Sequence, residues 1–133
     1  MPHNHTDTIV AIATPPGIGG IGIIRLSGDK SLHIIHKLFP NHNTLTPRYV
    51  YHGFIQDPAT KEPIDEGCVI YYEGPKSFTG EDVVEIQLHS NMIVLKTVME
   101  ATLTCGARLA DKGEFTKRAF LNGKIDLTKA ESI

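Results

Sequence analysis

The chain has 133 residues, 41% apolar and 21% charged, which suits one soluble globular domain with room for a core. Lys and Arg total 13 against 15 acidic residues, a net charge of −2, which argues against a domain that grips a nucleic-acid backbone by its own basic face. No stretch approaches the ~20 apolar residues of a membrane helix, and Met1-Pro2-His3-Asn4-His5 lacks the basic-then-apolar pattern of a secretory signal.

The first apolar segment, Ile9 to Ala13, ends at Pro15-Pro16, and a glycine-rich turn comes next (Gly17, Gly19, Gly20, Gly22). Ile23-Ile24-Arg25-Leu26 is short, β-branched and bounded by Ser27-Gly28, hence a strand. Ser31 to Phe39 has helical spacing, with Ile35, Leu38 and Phe39 on one face, and stops at Pro40. Residues 40–48 are polar and turn-rich. Tyr49 to Gln56 and Gly67 to Tyr72 read as strands joined by a turn-rich link. Gly74-Pro75 opens a loop, and Gly80-Glu81-Asp82 reads as a turn carrying solvated acids.

Val83 to Leu88 alternates, with Val84, Ile86 and Leu88 on one face and Val83, Glu85 and Gln87 on the other. A helix is predicted from about Asn91 to Thr104, with Met92, Leu95 and Met99 as its stripe and Gly106 as its stop. A shorter one is predicted over 114–121. Thr128 and Glu131 have capping-box spacing, so Asp126 to Ile133 reads as the start of another helix, as if a domain had been cut from a longer protein. Cys68 and Cys105 lack metal-ligand spacing and read as reduced thiols in a core. The mixture lacks regular βαβα alternation and favours an α+β fold, a mixed sheet with helices packed on it.

Gly17, Gly19 and Gly22 satisfy G-x-G-x-x-G, but the segment after Gly22 is too short and too β-branched for the helix a dinucleotide fingerprint requires. A tight turn between two strands is expected instead. Gly123-Lys124 is not the end of a phosphate loop, because Ile125 stands where Ser or Thr must bind magnesium. His33 and His36 lie one turn apart without a third ligand, and no metal site or nucleophile–base pair is predicted.

Four stretches, Asp7–Ser27, Pro75–Glu85 (PKSFTGEDVVE), Gly106–Phe120 (GARLADKGEFTKRAF) and Leu121–Glu131 (LNGKIDLTKAE), together resemble the amino-terminal domain of the MnmE/TrmE family of tRNA-modifying GTPases. The resemblance covers almost the whole chain. It implies a folate domain similar to the aminomethyltransferase type, which homodimerises and binds a tetrahydrofolate derivative in 5-formyl or methylene form. It also implies boundaries: residues 1–124 as the folate-binding and dimerisation domain, and 125–133 as the start of a central helical domain. The GTPase domain that would use GTP, Mg and K is absent. In the whole protein, folate would supply one carbon toward a carboxymethylaminomethyl group on the wobble uridine of tRNA. An FAD-dependent partner protein would take part. A bacterial cytoplasmic protein without membrane attachment is implied.

The family's folate contacts fall on Arg25, Glu85 and Lys124. A carboxylate can accept two adjacent hydrogens from a pterin edge, which suits Glu85. Its alternative is a solvated strand carboxylate. Arg25, between Ile24 and Leu26, costs packing without a partner, and its fork suits a carboxylate or a pterin carbonyl; the alternative is an edge-strand arginine in water. Lys124 is placed to meet the glutamate tail, or is a loop lysine. His89 continues the Glu85–Gln87 face and is a further ligand candidate, and Phe78 walls a pocket or joins the core. The chain departs from the family at Ile18, usually Arg, and at Leu88-His89-Ser90-Asn91, usually Gly-His-Gly-Gly. A purely structural dimerisation module with a decayed folate site is therefore the rival reading.

Overall fold

The computed structural model of the protein describes residues 7–13 and 20–123. In chain order the elements are β1 (Ile9–Ile12), β2 (Ile21–Ser27), α1 (Ser31–Leu38), β3 (Val50–Gln56), β4 (Pro63–Tyr72), β5 (Val83–His89), α2 (Met92–Thr104), β6 (Arg108–Leu109) and α3 (Glu114–Leu121). The strands form one six-stranded sheet in the order β3-β4-β5-β2-β1-β6. Every ladder is antiparallel except β1–β6, so the sheet is mixed and the fold α+β, as expected.

Alternation along the strands decides which face is buried. Ile24 and Leu26 of β2, Val84, Ile86 and Leu88 of β5, and Val69 and Tyr71 of β4 join Ile34, Ile35 and Leu38 of α1 and Leu95 and Val98 of α2 in one core. The stripe predicted for α2 needs correction. Met92 is exposed and Met99 half-buried, whereas Leu95, Val98, Ala101 and Thr102 are buried. Met92 to Leu95 is apolar on every side, so periodicity alone does not say which side meets the sheet.

Gly22 lies within β2, and β2 runs antiparallel to β1 (Ile12 opposite Ile24). Gly22 continues into a strand rather than a helix, so the dinucleotide reading fails and a connection between paired strands stands; residues 14–19 of it lie outside the described residues. So do Ile18 and the helix start predicted from Asp126. No feature of the sequence announces β6, which has two residues and pairs with β1 about a hundred positions away. Cys68 and Cys105 are free thiols, half-buried rather than deep in the core.

Candidate functional site

Arg25 and Glu85 face each other across the β2–β5 ladder. Both strands are interior, so Arg25 is not an edge-strand residue. By alternation both side chains leave the face opposite α1 and α2. Arg25 Nε donates to Glu85 Oε2 at 2.9 Å and Nη2 to the same oxygen at 2.7 Å. Among the described residues no hydrogen bond reaches Oε1. The pair is partly enclosed, 26% and 15% exposed at the side chains, so the charges are neither buried nor fully hydrated.

Two aromatic rings approach the guanidinium. Arg25 Cζ lies 5.3 Å from the centre of the Phe78 ring and 5.9 Å from that of Phe115, within cation–π range. Phe78 is 40% exposed and belongs to the loop before β5, while Phe115 belongs to α3. Tyr72 shares this side of the sheet, and burial pushes its phenol up. The Glu85 charge pushes it further and Arg25 pulls it back, so Tyr72 senses the state of the pair.

Beside this site runs a chain of ion pairs. The Ser27 hydroxyl donates to Glu81 Oε1 at 2.7 Å and shares a hydrogen bond with Thr79. Arg118, 3% exposed at the side chain, donates to both Glu81 oxygens (3.1 and 3.3 Å), to Glu114 Oε2 (3.3 Å) and to the carbonyl of Asp7 (2.6 Å). Arg108 closes the chain with a bidentate pair to Glu114 and a bond to Asp7. Burial alone would raise the Glu114 carboxyl, but the Arg108 fork, the Asp111 amide and the two guanidinium charges hold it at about 2. Glu81 and Asp82 are therefore not solvated turn acids. Glu81 is held by Arg118 and Ser27, and Asp82 accepts from the Gly74 amide at 2.9 Å. The deeply buried Tyr71 is pushed up to about 12, by desolvation first and by the Asp82 charge second.

A cavity of about 370 Å³ opens farther along the same strands, lined among others by Gly67, Cys68, Gln87, His52, Glu66 and His89. Among the described residues its lining contains no Lys or Arg. His89 is paired with Asp65 at 2.9 Å and 73% exposed, so that candidate has a carboxylate partner of its own. Asn91 caps α2, its side-chain oxygen accepting from the amides of Ile93 and Val94. The substituted segment 88–91 thus occupies two amides of that helix start itself. Lys124 lies outside the described residues; Asn122, two positions earlier, donates to the Thr79 carbonyl at 2.8 Å and anchors the end of α3 to the loop holding Phe78.

The sequence singled out Arg25 and Glu85, and the structure brings them together. It did not single out Phe115, Arg118, Arg108 or Asp7, although 106–120 was among the matched stretches. Among the described residues no group of three or more His, Cys, Asp or Glu could hold a metal ion, and no helix is long and apolar enough to cross a membrane. The arrangement suits binding of a planar ligand with adjacent donor and acceptor atoms.

Residues 8–124 match the family model described as GTP-binding protein TrmE N-terminus. The chain is 53% identical over 130 residues to a tRNA modification GTPase MnmE of Syntrophus aciditrophicus (strain SB) and 52% identical over 127 residues to that of Aquifex aeolicus (strain VF5). In each case 96% of this chain and 28% of the relative is covered, so the chain spans a little over a quarter of the curated relatives it matches.

Proposed function

The chain belongs to the TrmE amino-terminal family, and on that footing we propose that it is the tetrahydrofolate-binding and homodimer-forming domain of a tRNA-modifying GTPase. In the intact protein, folate bound here supplies one carbon for a carboxymethylaminomethyl group on the wobble uridine of tRNA, with an FAD-dependent partner, in the bacterial cytoplasm. GTP, Mg and K belong to the portion outside this chain. The aminomethyltransferase-type folate domain is the fold we expect this domain to share.

The observation that carries the reading is the asymmetry of the Arg25–Glu85 pair. Both arginine bonds converge on Oε2, which leaves Oε1 to accept from the amine or ring N–H of a pterin. A charge-assisted bond beside a fixed guanidinium gives orientation as well as affinity. Among the described residues, the cavity on the Gln87 side is lined by Glu66 and by no Lys or Arg, so an anionic glutamate tail is disfavoured there. The tail's charge is then expected to meet Lys124, the position that the family resemblance gives for that contact.

Calorimetry with 5-formyl-tetrahydrofolate tests this. Saturable binding is expected, weakened at least about a hundredfold by Glu85→Ala, as for a charged hydrogen bond worth about 1.5–3 kcal/mol and the neighbouring charge it leaves unpaired. Absence of binding by the unaltered chain overturns the folate reading. It favours the structural dimerisation module, which the Asn91 cap, in place of a family glycine, supports. Sedimentation velocity on the same sample reads the dimer in either case.

A further inference from the structure

Glu81 and Arg118 stand three residues after Phe78 and Phe115 respectively, and the folate reading uses neither. Phe115 and Arg118, at i and i+3, share one side of α3. Phe78 and Glu81 share the loop before β5. The ion pair therefore joins the two segments that carry the two rings, and both rings reach the same guanidinium. Ser27 ties the pair to β2 only two residues beyond Arg25. Asn122 adds a second tie between α3 and the loop at Thr79.

An arginine side chain has many rotamers, and one that is 26% exposed is not fixed by packing alone. Flat rings against the guanidinium limit its tilt, and tilt decides whether its N–H groups meet one carboxylate oxygen or both. We propose that Glu81 and Arg118 are positioning residues of the Arg25–Glu85 site: their ion pair, closed by Ser27, sets Phe78 and Phe115 against Arg25 and so keeps one Glu85 oxygen open to ligand. Neither residue touches the ligand. Both act through the rings.

The binding half of this inference rests on the folate reading; the positioning half does not. The test uses the 133-residue chain and tracks the Arg25 Nε–H signal by proton–nitrogen NMR, assigned with Arg25→Lys, alongside 5-formyl-tetrahydrofolate titrations. Glu81→Gln keeps an acceptor for Ser27 but removes the ion pair, and Phe78→Leu keeps bulk but removes the ring. Each is expected to speed exchange of that proton with water about tenfold and to weaken folate binding about tenfold, the size of a partly desolvated cation–π contact. Phe78→Tyr is expected to restore both values, which a merely space-filling role does not predict. If Glu81→Gln loses its fold, Arg118→Gln replaces it, since glutamine likewise removes the ion pair while keeping a hydrogen-bond donor. An Arg25 signal unchanged in the network variant and in Phe78→Leu overturns the proposal, as does equal loss in the Leu and Tyr variants. If the unaltered chain takes no folate, the exchange rates still decide the positioning, and only the folate reading falls.

Discussion

A glycine can be kept for its backbone or for its lack of a side chain, and Gly22 and Gly67 illustrate the second case. A Cβ on Gly22 would sit 2.7 Å from Cδ1 of Leu95 in α2, where helix and sheet close over the core. A Cβ on Gly67 would sit 2.2 Å from the carbonyl oxygen of Gln87. The obstacles differ: a leucine methyl can rotate, whereas a β5 carbonyl moves only with its strand. Gly22→Ala is expected to cost about 1–2 kcal/mol and Gly67→Ala about 3 kcal/mol, read from urea unfolding midpoints. The reverse ranking would show that Leu95 is the less yielding neighbour. The sequence marked Gly22 as part of a glycine-rich turn and as the last letter of a G-x-G-x-x-G pattern, and its packing against Leu95 was hidden because Leu95 lies far along the chain. Arg25 and Glu85 were singled out one at a time by the family resemblance, with an arginine among apolar neighbours and a carboxylate in an alternating strand as the pattern beside it. Their pairing was not, because register between residues 60 positions apart is set by the sheet and not by either strand.

At the scale of elements, the strands and helices with a clean period were readable: β5 by alternation, and α1 and α3 close to their observed ends. The failures were features that depend on distant partners. β6 exists because Arg108 and Leu109 fall beside β1, and Glu81 looked solvated because nothing near it in sequence reveals Arg118 of α3. That same network governs how α3 stays attached as pH falls. Glu114, ordinarily near 4.5, is held at about 2 in the fold, and Asp7 is held low chiefly by its bond from Arg108. Carboxyls whose folded values are depressed contribute stability above their unfolded values, and the contribution drains away as pH falls toward the folded ones. For Glu114 that is roughly 3 kcal/mol at neutral pH, lost between about pH 4.5 and about pH 2. Glu114→Gln should therefore be clearly less stable than the unaltered chain at about pH 7, with most of that difference gone at about pH 2.5, measured by urea unfolding at each pH. A penalty that stays constant with pH would mean that the glutamine loses shape and hydrogen bonds rather than charge.

For the whole molecule, the sign and placement of charge bear on whether this chain takes part in the proposed contact with tRNA. The net charge is −2, and three of the four arginines, Arg25, Arg108 and Arg118, are committed to carboxylates within the fold. Freeing any of them for a phosphate would leave a partly enclosed acid without its partner, an exchange with little net gain. The described lysines fall singly or in twos across α1 and its start, the β3–β4 turn, the loop before β5, α2, the β6–α3 loop and α3, with no run of adjacent basic residues longer than the Lys117-Arg118 pair. Backbone affinity grows with the number of phosphates neutralised at once and falls with salt in proportion. The chain is therefore expected to bind tRNA no more tightly than about 100 μM at about 150 mM salt. Between about 50 and 200 mM salt its log–log slope should correspond to fewer than about two phosphates. Fluorescence anisotropy with a labelled tRNA measures both. A micromolar complex with a steep salt slope would overturn the expectation and would place a phosphate-binding surface on this domain. A weak and shallow response fits the proposal that this domain serves to bind folate and that any grip on tRNA is supplied elsewhere in the full-length protein.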